Sequence, residues 1–243
     1  MTWSNRLRMV GGILVVLVIV AALTVVFNQR QSQVASTSAS IEAKRYPVGL
    51  DYGGTVTTAD VENGDRVAVG DTLFTLQSPS LESDLAKGLF KPTTAAYTVR
   101  DDGTIVMTAS VAGTISDLST ESGSFVQAGQ VLATIDASGS LFVKAEYVLS
   151  ARDYSRLEDG AKVDILLPNQ QVVAGAVVSI DVETSDGEAE STVLVHSDGL
   201  VDGAYNGLVK RGTPVTATLR LRDDGVFAGV TDGVQDFMRK IGV

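Results

Sequence analysis

The chain carries one stretch twice, and no other feature restricts its fold as strongly. Residues 54–76 read GTVTTADVENGDRVAVGDTLFTL and residues 113–135 read GTISDLSTESGSFVQAGQVLATI, a constant 59 positions apart with no gap. Eight of the 23 positions are identical: Gly54/Gly113, Thr55/Thr114, Glu62/Glu121, Gly64/Gly123, Val67/Val126, Gly70/Gly129, Leu73/Leu132 and Thr75/Thr134. Val56/Ile115 and Leu76/Ile135 are conservative pairs. Each copy reads as three short β-branched strands, broken by turns at 63–65 or 122–124 and at 70–71 or 129–130. Glycine at a fixed place in both turns marks a backbone conformation that a Cβ would resist. Three such strands cannot bury an apolar face alone. Two copies can, packed as halves about a pseudo-twofold axis.

Composition narrows the function classes. The 243 residues include 24 glycines and only 5 prolines, with 44% hydrophobic side chains, which suits a strand-rich globular protein. A net charge of −10 argues against nucleic acid or an anionic membrane surface as the main partner. With no cysteine and one histidine, disulfides, thiol chemistry and multi-histidine metal sites are excluded. No phosphate loop, nucleophile elbow or zinc helix occurs. The acidic residues Asp181, Glu183, Asp186, Glu188 and Glu190 read as a solvated hairpin, because Gly187 falls one place too late for a calcium loop. His196, at a strand end, reads as an ordinary polar residue. No catalytic, metal-binding or cofactor-binding residue is expected.

Residues 9–27, MVGGILVVLVIVAALTVVF, form an uncharged run whose helix would span about 28 Å, close to the hydrocarbon thickness. Its Val, Ile, Leu and Phe side chains favour insertion by roughly 4 to 8 kcal/mol. The run is long for a signal peptide, and no small-x-small site follows Phe27 directly, so it is read as an uncleaved transmembrane anchor. Arg6 and Arg8 ahead of it place residues 1–8 in the cytoplasm and the bulk of the chain outside. Residues 28–43, rich in Ser, Gln and Thr, read as a linker.

Further on, Ser78-Pro79 reads as a helix start, and Leu81, Leu85 and Leu89 as the apolar side of a short helix closed by Gly88 and Pro92. Residues 97–108 read as a hairpin with its turn at Asp101-Asp102-Gly103. A second β domain is expected over 139–225. It has strands at 141–146, 162–167, 172–180, 192–195 and 215–222, and a short helix capped by Ser150. Lys144, Lys162 and Asp164 fall on its wet face. Val234, Phe237, Met238 and Ile241 share one side of an amphipathic helix over 226–243, a candidate partner contact, with Arg239 and Lys240 at its end.

The repeat resembles the biotinyl/lipoyl-type barrel-sandwich hybrid, whose half-motif is roughly G-x-V followed by G-D-x-V-x-x-G-D-x-L. Gly54, Val56, Gly64, Asp65, Val67, Gly70, Asp71 and Leu73 meet it. The second half meets it through Gly113, Ile115, Gly123, Val126, Gly129 and Leu132, without either aspartate. In carriers of that fold a lysine in the inter-half turn bears biotin or lipoate. Here that position falls near Ser80, with no lysine, and the resemblance implies no cofactor.

The order of parts resembles the haemolysin-D-type membrane fusion proteins, periplasmic adaptor subunits of bacterial export machines. The second half opens with Ala109-Ser110-Val111-Ala112-Gly113-Thr114-Ile115, serine standing where the family has proline. The barrel phrases are met by Phe142-Val143, 153–157, Gly160-Ala161-Lys162-Val163, Pro168 and Gly175-Ala176-Val177. The resemblance implies a mainly β fold: a lipoyl-like domain split as 44–76 and 109–138, a barrel over 139–225, and a short insertion, 77–108, in place of the family's long helical hairpin. It implies a non-enzymatic adaptor that forms homo-oligomers in the cell membrane. The favoured partner is an ABC-type transporter, with a polysaccharide-extruding membrane glycosyltransferase as the alternative. A membrane-tethered carrier domain is the remaining reading, against which the missing lysine counts.

That last point is measurable. The intact mass of the protein purified from its native membrane is expected to carry neither biotin nor lipoate; a shift matching either would restore the carrier reading.

Overall fold

The computed structural model describes residues 11–20, 32–89, 97–158, 160–185 and 188–222. In chain order the elements are helix α1 (11–20), strands β1 (Gln33–Ala35), β2 (Ser38–Glu42), β3 (Arg45–Gly49), β4 (Gly54–Ala59), β5 (Arg66–Val67) and β6 (Thr72–Gln77), and helix α2 (Pro79–Ala86). Then come β7 (Tyr97–Val99), β8 (Thr104–Thr108), β9 (Gly113–Leu118), β10 (Phe125–Val126), β11 (Val131–Ala137), β12 (Phe142–Leu149) and helix α3 (Ala151–Ser155). Strands β13 (Lys162–Leu166), β14 (Val172–Ser185), β15 (Glu188–His196) and β16 (Thr216–Arg220) follow. The fold is mainly β, and the chain divides into two compact units. One is 42–141 with 201–211; the other holds the remaining described residues.

In the first unit the two repeats are halves of one sandwich. Its sheets run β10-β4-β6-β8-β7 and β3-β11-β9-β5. The short strands are exchanged: β5 of the first half pairs with β9 of the second, and β10 of the second pairs with β4 of the first. The exchange is sealed by matching hydrogen bonds at the 59-residue offset. Gly64 N–H donates to the Ile115 carbonyl at 2.8 Å, and Gly123 N–H to the Val56 carbonyl at 2.7 Å. Gly70 N–H donates to Ala109 and Gly129 N–H to Leu50, both at 2.8 Å. A β-bulge recurs too: Thr57 and Ser116 are the unpaired residues, and their hydroxyls donate to the carbonyls of Thr75 and Thr134. Val56, Leu73, Leu76, Ile115, Leu132 and Ile135 meet in the common core, almost or wholly out of solvent.

The symmetry outruns the recognisable repeat. Strand β3 holds the place of β8 at the same offset, pairing Tyr46 with Ile135 where Ile105 pairs with Leu76. Strand β8 is therefore part of the sandwich. Ile105 and Met107 are fully buried in it, so the segment that departs from the symmetric plan is 77–103 and not the whole of 77–108. Helix α2 begins as the sequence indicates, with Ser78 accepting from Leu81 N–H and Pro79 at the first turn, but Leu89 lies beyond its end and is exposed.

Two pairs of glycines have distinct reasons. A Cβ on Gly54 would lie 2.5 Å from the Gln77 carbonyl oxygen, and one on Gly113 would strike that of Asp136. Gly70 and Gly129 instead have open space around them but left-handed backbones, φ 92° and 80°. The missing aspartates of the second half are partly replaced: Asp71 Oδ2 accepts from Ala68 N–H at 2.7 Å, and Gln130 Oε1 accepts from Gln127 N–H at 3.0 Å.

In the second unit the sheet order is β1-β16-β13-β14-β15-β12-β2, and the sheet closes on itself. Strand β1 pairs with β16, while β2 bridges to Pro214, with Ile41 N–H donating to Thr213 and Val215 N–H to Ala39, both at 3.0 Å. The interior holds Ile41, Val143, Ala145, Val163, Ile165, Val193, Val195, Ala217 and Leu219. Tyr147 is also interior. Burial pushes its phenol well above the ordinary range, so it stays neutral and donates to the Ala217 carbonyl at 3.1 Å.

This corrects the reading of 28–43 as a linker, because 33–42 is a barrel stave. Only Ala39 and Ile41 of that stretch are buried apolar residues, and the polar side chains between them face out, which gives the composition of a spacer. Of the 9–27 run, only 11–20 is described, helical with Ile13 to Val20 exposed. Among the described residues no helix is long and apolar enough to cross a membrane. The rest of that run, and Val234, Phe237, Met238 and Ile241, lie outside the described residues.

Two predictions follow from the exchanged halves. Gly70→Val and Gly129→Val are each expected to destabilise the whole sandwich by about 1–3 kcal/mol, from backbone strain alone. Gly70→Asn, which tolerates φ > 0, should lose much less in chemical denaturation. Thr120 is buried with no hydrogen-bond partner for its hydroxyl, at the place where the first half has buried Val61. Thr120→Val is expected to stabilise by about 1 kcal/mol and Val61→Thr to cost about 1–3 kcal/mol. Opposite signs in thermal unfolding of the two variants would verify the equivalence.

Candidate functional site

The junction between the halves is where a carrier of this fold would bear its lysine. Here it is a locked helix start. Ser78 is fully buried; its hydroxyl donates to the Gly53 carbonyl at 2.7 Å and lies 3.1 Å from Ser80 Oγ. Ser78 N–H donates to the Gly103 carbonyl at 3.1 Å, and Gln77 Nε2 to that of Asp102 at 2.6 Å. Asp102 in turn accepts from Thr104 N–H at 2.9 Å, and the hydrogen bonds from Thr104 hold its carboxyl below the usual range. The 101–104 turn is thereby pinned over α2. The junction is thus a braced helix start.

The other polar candidates lie on the barrel. His196 Nε2 lies 3.3 Å from Asp198, with both side chains well exposed. Of the acidic run, Asp181 and Glu190 are exposed on β14 and β15, and the side chains of 183–189 lie outside the described set. Among the described residues no group of three metal-ligating side chains forms. Lys144 and Lys162 are exposed on the barrel exterior, and Asp164 accepts from Arg220 Nε at 2.8 Å across β13 and β16.

Sequence reasoning missed the 201–211 segment, which joins the sandwich unit despite lying 60 residues past it. Arg211 lies 3.4 Å from Glu42 and 3.6 Å from Asp136, and Ser116 donates to the other oxygen of Asp136 at 2.9 Å. A cleft of about 180 Å³ opens there, lined by Thr114, Asp136, Leu141, Asp202, Lys210 and Arg211. The 204–207 turn ahead of it is left-handed, with Tyr205 at φ 54° and Asn206 at φ 60°. Gly203 sits against this unit too: a Cβ there would lie 3.7 Å from Arg66 Nη2. A second groove, about 360 Å³, runs over the barrel between Thr37, Lys144, Glu146, Glu190 and Thr192. Both are open surface features.

No protein-family model and no curated protein matches the chain. Solved structures do. ZneB from Cupriavidus metallidurans superposes with a TM-score of 0.58 at 17% identity, covering 79% of this chain and 99% of that one. A MacA–MexA chimera, containing the Pseudomonas aeruginosa MexA α-hairpin domain, gives 0.56 at 15% identity, over 79% of this chain and 83% of that one. MacA from Actinobacillus actinomycetemcomitans gives 0.56 at 14% identity, over 79% of each. The chain thus has the fold of the membrane fusion proteins and periplasmic adaptors.

Proposed function

We propose that the chain is a membrane-anchored, non-enzymatic adaptor subunit of a bacterial export complex. The observation that carries this is the shared fold: a split sandwich joined to a closed barrel, superposing on ZneB over 79% of the chain. The uncharged run 9–27 supports the anchor, and the lack of lysine at Ser80 speaks against a carrier.

The barrel sits close to the membrane on this reading. Only residues 28–32 separate Phe27 from β1, a tether of about 20 Å at full extension. Leu221 N–H donates to the Ser32 carbonyl at 2.8 Å, so the chain leaves β16 at the same end of the barrel that the tether reaches. On this reading Val234, Phe237, Met238 and Ile241, beyond that exit, would make the contact on a partner in the same membrane. Arg156 holds that exit: it is buried, and its Nε donates to the Arg222 carbonyl at 2.8 Å. Residues 77–103, even as two equal helical arms, would reach only about 20 Å. That suits a complex whose partners all lie in or near one membrane.

The partner this favours is an ABC-type transporter, whose external exit the adaptor would shape as a homo-oligomer. A polysaccharide-extruding glycosyltransferase is the alternative partner. The test is purification of the full chain from native membranes in mild detergent, with identification of what accompanies it. An ABC transporter is expected, and truncation after Gly225 should reduce its recovery several-fold while the barrel still folds. Recovery of a glycosyltransferase would select the alternative. A cytoplasm-only reporter active when fused after Val243 would overturn the topology. Excising 77–108 is no test, since it would remove β8 from the sandwich.

A further inference from the structure

The stave that closes the barrel changes partners within two residues. Ser36 N–H donates to the Ala217 carbonyl on β16, and Thr37 N–H to the Glu146 carbonyl on β12, both at 2.8 Å. The Thr37 hydroxyl donates to that same Glu146 carbonyl at 2.9 Å. From Thr37 back to Gln33 the stave follows β16 and leaves β12. Strand β12 runs on to Leu149 with a partner only in β15. Among the described residues no strand pairs with β1 on its other side, nor with 147–149 on theirs.

The alternation of a strand decides which groups are left open. Glu146 turns its carbonyl towards the stave, so Val148 turns its N–H and C=O the same way, while Tyr147 and Leu149 face β15. Ser36 N–H and the Ser32 carbonyl bond to Ala217 and Leu221, so Gln33 and Ala35 face away from β16, into the same opening. Gln33, Ala35 and Val148 are all exposed. Behind them Tyr147 reaches from β12 to β16, its hydroxyl on the Ala217 carbonyl, so the opening is an edge and not a pore. Free strand edges of this kind are templates for an added strand.

The outer side of the opening is mainly acidic. Glu146 lies two residues from Val148 on β12, Glu190 stands opposite Val148 on β15, and Asp181 and Glu146 flank Thr192. All three carboxylates are exposed. Of the residues lining the groove of about 360 Å³ along β12, only Lys144 is basic, four residues from Val148. A side chain placed beside Val148 on an added strand would lie diagonal to Glu146, within reach of a long basic residue.

We propose that this opening receives an extended segment of a partner protein as an added strand. Its backbone bonds to Val148, Ala35 and Gln33, and its basic side chains meet Glu146 and Glu190. The site uses only the barrel's own edges, so it stands or falls apart from the export-complex reading.

The probe is a short capped peptide of alternating Val and Lys, with alternating Val and Glu as its counterpart. Full-length protein in mild detergent is followed by amide hydrogen exchange over 33–36 and 146–149. The Val-Lys peptide is expected to slow exchange at Val148 by about tenfold or more, and the Val-Glu peptide to leave it unchanged. Val148→Pro removes the outward N–H and no bond to β15. It should abolish the protection of 33–36 with an unchanged melting temperature. Glu146→Gln combined with Glu190→Gln should weaken the Val-Lys peptide several-fold and leave folding intact, which decides the matter if the proline variant unfolds. Slow exchange at Val148 without peptide would overturn the proposal, because the edge would already be covered. Equal protection by both peptides, or protection by neither, would overturn it as well.

Discussion

The sandwich depends on the reciprocal bonds between Gly64 and Ile115 and between Gly123 and Val56. Each glycine belongs to the turn of one half and each carbonyl to the first strand of the other. Neither half can complete its own sheet. Strand β5 has only two residues and gains a partner solely in β9, as β10 does in β4. The apolar side chains follow the same logic, since Val56 and Ile115 close the core from opposite sheets. The native sandwich thus needs both halves, joined across 59 residues of separation. This loop-closure cost is tolerable because it grows only slowly with length.

What the sequence made legible is what symmetry and local chemistry express. The repeat places β4 to β6 and β9 to β11; Ser78-Pro79 and Ser150 mark the starts of α2 and α3; alternation marks β12 and β16. What it hid has physical reasons. Strand β3 shares no residue identity with β8, and Arg45, Tyr46 and Pro47 are exposed, so it lacks a strand pattern although it occupies a strand's place. The 33–42 stave buries only Ala39 and Ile41. The 201–211 segment joins the sandwich through Arg211 and its two carboxylates, contacts between residues 75 and 169 positions apart that no periodicity reveals.

The edges also show how an internally duplicated fold loses its symmetry. Strand β8 is covered by β7, whereas its equivalent β3 is left at the sheet edge. There Pro47, with no N–H to offer, and exposed Arg45 blunt the edge against pairing with another chain. One half therefore uses an added strand and the other a proline. The same duplication explains why departures cluster at 77–103 and 201–211: they are the two segments laid on the outside of a symmetric core. A core with two equivalent halves fixes where insertions are tolerated, and the insertions then make the halves unlike.

The barrel is closed by a different constraint. Its last gap is filled by 33–42, which pairs with β16 along Gln33 to Ala35 and bridges to Pro214 beyond. Without that stretch β16 and β12 would both present open edges. The stave is paired on both sides, with β16 through β1 and with β12 through β2, and cannot slide in register without moving its alternate residues from core to solvent. The register is held at Ile41, which donates to Thr213 and accepts from Gly212 N–H, so a stretch with the composition of a spacer is fixed as a wall of the barrel.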